Sequence, residues 1–388
     1  MSYKKLGLSM VAFWGVLAAL LVMASGRAVP ASPGPSGYHV LKTIPLPGTQ
    51  AFDYLSMDSD ARHLYVSRQG HVDVVDVDSG TLVGNISDLK GVHGIALAPD
   101  LGRGFTTNGG DQSSTIVDLK TLQKIGTVKT VGKNPDSMAY DSFTKRVFIM
   151  DAASDGVTVI DAVSGTVAGS IDLAGTPEFV VSDGKGKVYI NITDKGHIAE
   201  IDARTLKVLH RWPLAPGYNP SGLAMDREHR RLFSTCERMV VVMNADTGKV
   251  VVTIPTGNGT DAAGFDPGAQ LAFASAGEGL LTVIHEDSPN KFSLLEQVPT
   301  RYLARTLAVD LKTHNVYQVT VKRLPGGVSG GAGPVVPGSF VVIVVGQDKS
   351  APSHGSDDHP PAPRVWPEKA KSELALSRRS VLGIEAAR

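Results

Sequence analysis

Short apolar runs separated by polar turns fill most of this chain, and the alternation repeats itself. Residues 221–255 show one full unit. Apolar runs at 222–225, 231–235, 239–243 and 249–254 are separated by polar stretches, among them Asn244-Ala245-Asp246-Thr247-Gly248. Runs this short, rich in Val, Ile, Phe and Thr and bounded by Asp, Asn, Gly and Pro, predict strands joined by tight turns rather than helices.

The unit recurs seven times between residues 38 and 346. It aligns on a turn position that reads Asp58, Pro99, Asp141, Asp183, Asp226, Asp266 and Asp310, with gaps of 41, 42, 42, 43, 40 and 44 residues. Four strands at that period predict an all-β fold, a seven-bladed β-propeller of four-stranded blades around a channel. The seventh copy has only three runs, at 306–309, 315–321 and 340–345, whereas an unassigned apolar run at 39–44 precedes the first copy. An N-terminal strand is therefore expected to close the last blade by pairing with its open edge. Burial of Val40, Leu41 and Ile44 is expected to add about 2 kcal/mol per side chain. The third strands end on Asp76, Asp118, Asp161, Asp202, Asn244 and His285, read as turn residues whose side chains accept backbone amides.

Composition removes some functions. The 38 basic residues balance 38 acidic ones, so no basic excess favours a nucleic-acid backbone as partner. Lys4 and Lys5, an apolar stretch at 6–23 and the small residues Ala24, Ser25 and Gly26 predict a signal peptide or N-terminal anchor over residues 1–30. The expected location is periplasmic or secreted, with no membrane span in the mature chain if the signal is cleaved. Cys236 has no second cysteine to pair with and reads as a buried thiol. With the propeller over 38–346, residues 347–388 read as a polar, disordered tail, and its His354, Asp357, Asp358 and His359 as solvated. A Gly/Pro-rich insertion at 324–339 reads as a lid or a mobile loop.

The strings PDSMAYDSFTKRVF at 135–148 and PSGLAMDREHRRLF at 220–233, with the related 177–189, resemble the YVTN-repeat, YncE-like β-propellers. The eponymous tetrapeptide survives in altered forms such as Tyr65-Val66-Ser67 and Phe105-Thr106-Thr107. The resemblance covers most of the chain. It implies a seven-bladed, exported, mostly non-catalytic bacterial protein and brings no catalytic motif with it.

Candidate chemistry lies in a column five residues before the aligned turn: Asp53, Gly94, Asp136, Glu178, Ser221, Asp261 and Arg305, with His93 beside Gly94. Radial symmetry brings equivalent positions of all blades to one axis, so these residues are expected to converge at the channel mouth as a ligand-binding site. Carboxylates held together raise their pKa values or recruit a cation, and hard oxygens suit Ca²⁺ or Mg²⁺. Asp53, Asp136, Glu178 and Asp261 are the expected metal ligands, and ordered water in the channel is the alternative. The loops between second and third strands should surround the same mouth and offer Arg68, Gln69, Asn108, Asp111, Asp151, Asp155, Asn191, Asp194, Glu237, Arg238 and Glu278 to a partner.

Three functions follow. The first is an exported, monomeric, non-catalytic binding or scaffold module recognising a small ligand, a cation or an envelope protein. The second is a metal-dependent hydrolase or lactonase with Asp136 or Glu178 as base. The third is an envelope protein that self-associates. The string Gly327-Val328-Ser329-Gly330-Gly331 lies in the Gly/Pro insertion rather than on a strand-to-helix turn, so it is not read as a nucleophile elbow. No phosphate-binding loop or haem-attachment motif occurs.

Overall fold

The computed structural model describes residues 36–49, 51–324 and 333–348. The segments read as signal and tail, and the Gly327–Gly331 string, lie outside the described residues, apart from Gln347 and Asp348. Seven antiparallel sheets of four strands follow one another around a ring. Blade 1 runs from Leu55–Asp58 to Thr81–Ile86, blade 2 from Val92–Ala98 to Lys124–Lys129, and blade 3 from Pro135–Asp141 to Thr166–Asp172. Blade 4 runs from Pro177–Ser182 to Lys207–Pro213, blade 5 from Leu223–Asp226 to Val250–Pro255, and blade 6 from Thr260–Asp266 to Lys291–Pro299. Blade 7 orders its strands as Leu307–Val309, Val316–Thr320, Val341–Gly346 and then His39–Pro45.

The core is a set of slabs, each formed by two adjacent blades, and the last joins blade 7 to blade 1. Every second strand centres one aromatic ring in these slabs: Tyr65, Phe105, Phe148, Tyr189, Phe233, Phe273 and Tyr317, each at most 2% exposed. Second and third strands are covered on both faces by neighbouring blades, so their sequences run apolar almost without alternation. Fourth strands line the circumference and are largely exposed. A register shift recurs between third and fourth strands, as at Val74/Val75 and Val159/Ile160, and adds local twist.

The closing strand pairs from His39 with Gly346 to Pro45 with Val341. Its contribution differs from the expectation, because Ile44 is buried while Val40 and Leu41 are exposed. A bulge between Val40 and Lys42 lies in this outermost strand, which faces solvent over most of its length. Tyr38, just before it, supplies the missing anchor: its ring packs 5.3 Å from Phe273 and its hydroxyl donates to the His314 carbonyl.

The turn residues behave as their chemistry dictates. Asp76 Oδ1 accepts the amides of Asp78 and Ser79, and Asp118, Asp161, Asp202 and Asn244 repeat the arrangement. His285 departs from it. The third strand of blade 6 continues to Ser288, and the fourth begins at Lys291, so this hairpin is longer than its equivalents. Cys236 is fully buried, and burial pushes its thiol up to about 11.

Candidate functional site at the channel mouth

The residue after each of several mouth positions is tied to the neighbouring blade, and these ties fix the ring. Tyr54 N donates to His93 O, Gly222 N to Asp261 O and Ala262 N to Arg305 O, while the Ser137 hydroxyl donates to Glu178 O. At Gly94 the backbone passes the Tyr54 ring so closely that a Cβ would lie 3.3 Å from it, which explains a glycine in the column.

On this frame the expected side chains converge. His93 Nδ1 lies 2.8 Å from Asp53 Oδ2 and 3.6 Å from Asp136 Oδ1. The Tyr54 hydroxyl approaches Glu178 Oε1 at 3.4 Å, with its ring edge-on to Phe179. Across the mouth, Ser221 Oγ donates to Asp261 Oδ1 at 2.6 Å, and Arg305 Nη1 sits 2.9 Å from Asp261 Oδ2. The expected four-carboxylate metal set is thus divided into three groups. One potential ligand atom each from Asp53, His93 and Asp136 lies within 4.8 Å of the other two. Glu178 faces Tyr54, and both oxygens of Asp261 are engaged by Ser221 and Arg305. Tyr54 had no place in the column because it is one residue past it, although an aromatic following the mouth acid recurs as Phe179 after Glu178.

Burial dominates the electrostatics. It pushes Asp136 up to about 6, where His93 opposes the shift and Asp53 adds to it. Glu178 is pushed up to about 7 by burial first and then by Asp136, Asp261 and Asp53. The Tyr54 hydroxyl is raised well above its ordinary value by burial and by the surrounding acids. His93 is raised by its hydrogen bond to Asp53, with the neighbouring acids adding to the shift. A cleft of roughly 400 Å³ opens beside this group, lined by Phe52, Asp53, Gln69, His93, Gly109 and Asn134.

A pH effect follows. Between about pH 4 and 7 the folded chain holds protons on Asp136 and Glu178 that the unfolded chain releases, so these groups lose stabilising weight as pH rises. Asp136→Asn with Glu178→Gln should therefore gain melting temperature relative to wild type as pH is taken from 4.5 to 8. Because Asp151 and Glu286 are also raised, to about 6 and about 7, the wild-type slope should be reduced rather than abolished. A difference in melting temperature that is constant across this range would refute the assignment.

The loops between second and third strands divide. Gln69, Asp111, Asp155, Asp194, Arg238 and Glu278 are exposed, and Glu237 is partly exposed. Arg68, Asn108, Asp151 and Asn191 are buried and do not form a recognition surface. As the last or penultimate residues of second strands, they turn inward to bond neighbouring backbone and hydroxyls. Asn191 Nδ2 donates to the Ser221 and Gly222 carbonyls, and Asp151 Oδ2 accepts from Thr158.

No family model and no curated protein matches this chain. Solved structures do. The WD40 repeats of RRP9 superpose with a TM-score of 0.67 at 10% identity, covering 81% of this chain and 99% of that one. A chain of the mitotic checkpoint complex gives 0.67 at 12%, covering 86% and 99%. A chain of Kuenenia stuttgartiensis hydrazine synthase gives 0.61 at 16%, covering 81% and 98%. At such identities the likeness is one of fold, and it places this chain among the β-propellers.

Proposed function

We propose that the chain is an exported binding module of the YncE-like kind that holds a divalent cation at the channel mouth, with the adjoining cleft receiving a small ligand. The observation that carries this reading is the meeting of Asp53, His93 and Asp136 from three successive blades within the reach of one ion. The two carboxylates suit Ca²⁺, Mg²⁺ or Mn²⁺, and the His93 imidazole also admits a transition ion. Export rests on the basic, apolar and small-residue order at the N-terminus. Among the described residues, no helix is long and apolar enough to cross a membrane.

Melting curves with Ca²⁺, Mg²⁺ and Mn²⁺ test the reading. An ion bound by the folded state alone at 100 times its Kd stabilises by about 2.7 kcal/mol, a rise of several degrees. The rise should vanish in Asp53→Asn with Asp136→Asn. No rise with any of the three ions in wild type, or the same rise in the double variant, would refute it.

One observation favours the hydrolase as a second reading. Glu178 is pushed up to about 7 among the mouth acids, which suits a base that must accept and release a proton near neutrality. Cation-dependent ester or lactone hydrolysis that falls on Glu178→Gln, with cation binding retained, would select it.

A further inference from the structure

On the face of the ring opposite the mouth, five turn acids are met by a group from the next blade. Asp100 receives Tyr140 and Lys145, Asp141 receives Ser182 and Asp183 receives Arg230. Asp266 receives His314, and Asp310 receives Arg62. These contacts supply a donor to an acid across five of the junctions. The junction between blades 5 and 6 does the reverse, because Asp226 meets the carboxylate of Glu286.

Glu286 also occupies an unusual slot. The residue after the third-strand cap is Val77, Leu119, Ala162, Ala203 and Ala245 in blades 1 to 5. In each case its amide donates to the carbonyl just before the second strand, and Glu286 N makes the same bond to Gln270 O. Apolar residues fill this slot in five blades, and an acid fills it in the sixth. Glu286 is 1% exposed, its Oε1 faces only the imidazole of His229, and its Oε2 has no hydrogen-bond partner among the described residues. A buried carboxylate facing a second carboxylate is unfavourable unless a positive charge stands between them.

The compensation is half built. Asp226 Oδ2 lies 2.7 Å from His229 Nδ1, which lies 3.2 Å from Glu286 Oε1, and one donor atom from each residue falls within 4.8 Å of the other two. Donor atoms sharing a metal at about 2.0–2.2 Å stand roughly 3 Å apart, and these spacings agree. Asp226 is oriented by its own turn, through bonds from the Glu228 and His229 amides. Arg231 is the nearby cation, but its guanidinium is committed to the His229, Arg230 and Pro289 carbonyls and to Asn290. His229 is partly exposed and leaves a path for entry.

We infer that Asp226, His229 and Glu286 form a divalent transition-metal site of the zinc class that joins blades 5 and 6. One imidazole with two carboxylates suits zinc or manganese better than an all-oxygen ion. The shared slot, fixed by the Glu286 amide bond to Gln270 O, places this carboxylate against the turn of blade 5. The site is structural and independent of the mouth.

Zinc alone is the probe. Full-length protein loaded with zinc and dialysed should retain metal by elemental analysis, and its melting temperature should rise by several degrees. Glu286→Ala places in the slot the residue found in blades 3, 4 and 5, so it should fold and melt no lower than metal-free wild type. It should retain one equivalent less zinc and lose the rise, and His229→Gln should lose the same equivalent. Asp53→Asn with Asp136→Asn should keep it, which separates this site from the mouth. Failure of wild type to retain zinc, or equal retention by wild type and Glu286→Ala, would overturn the inference.

Discussion

Deleting His39–Pro45 should abolish the single cooperative unfolding transition of the ring. The segment contributes six backbone-paired positions and the buried Ile44 side chain to blade 7. At about 1 kcal/mol net for each paired position and about 2–3 kcal/mol for the isoleucine, the loss is roughly 8–9 kcal/mol. That is comparable with the whole stability of a folded domain, about 5–15 kcal/mol. The deletion also displaces Tyr38 from Phe273 and leaves Val341–Gly346 as an open edge. Urea unfolding followed by circular dichroism should show a midpoint shifted far toward zero or no transition at all. A peptide spanning residues 36–47 should restore part of the midpoint by refilling the edge. An unchanged midpoint after deletion would mean that blade 7 stands on three strands.

The architecture was legible because the ring repeats one burial problem seven times. Each second strand is covered on both sides, so each shows the same apolar run with an aromatic at its centre, from Tyr65 to Tyr317. The mouth was legible for a related reason, since equivalent positions around an axis must meet, and Asp53, His93 and Asp136 do. Periodicity said less about individual neighbours. It could not show that Asp261 would be taken by Ser221 and Arg305, because that choice depends on side-chain reach across blades. Loop polarity misled at Asn108, Asp151 and Asn191, where the residue ending a buried strand still points inward. Glu286 lay in plain view as the one acid in a column of Val, Leu and Ala, but its meaning required Asp226 to stand opposite.

The sequence placed Arg68 on an exposed loop, whereas the structure buries its guanidinium completely beside Asp73, with Nη1 2.9 Å from Oδ2. The same guanidinium donates to the Pro47 carbonyl, just past the closing strand, and lies 3.5 Å over the Phe340 ring, which precedes the third strand of blade 7. The pair thus holds blade 1 against both segments that close the ring. Asp73→Ala should cost about 3–5 kcal/mol, because it removes the carboxylate facing a desolvated charge. Arg68→Met with Asp73→Leu should recover most of that loss, since apolar side chains of similar volume carry no desolvation penalty. A double-mutant cycle by urea unfolding measures the coupling directly. If Asp73→Ala proved no more costly than the double replacement, the buried charge would not depend on Asp73. The stability of the closure would then lie in the Phe340 contact and the paired strand.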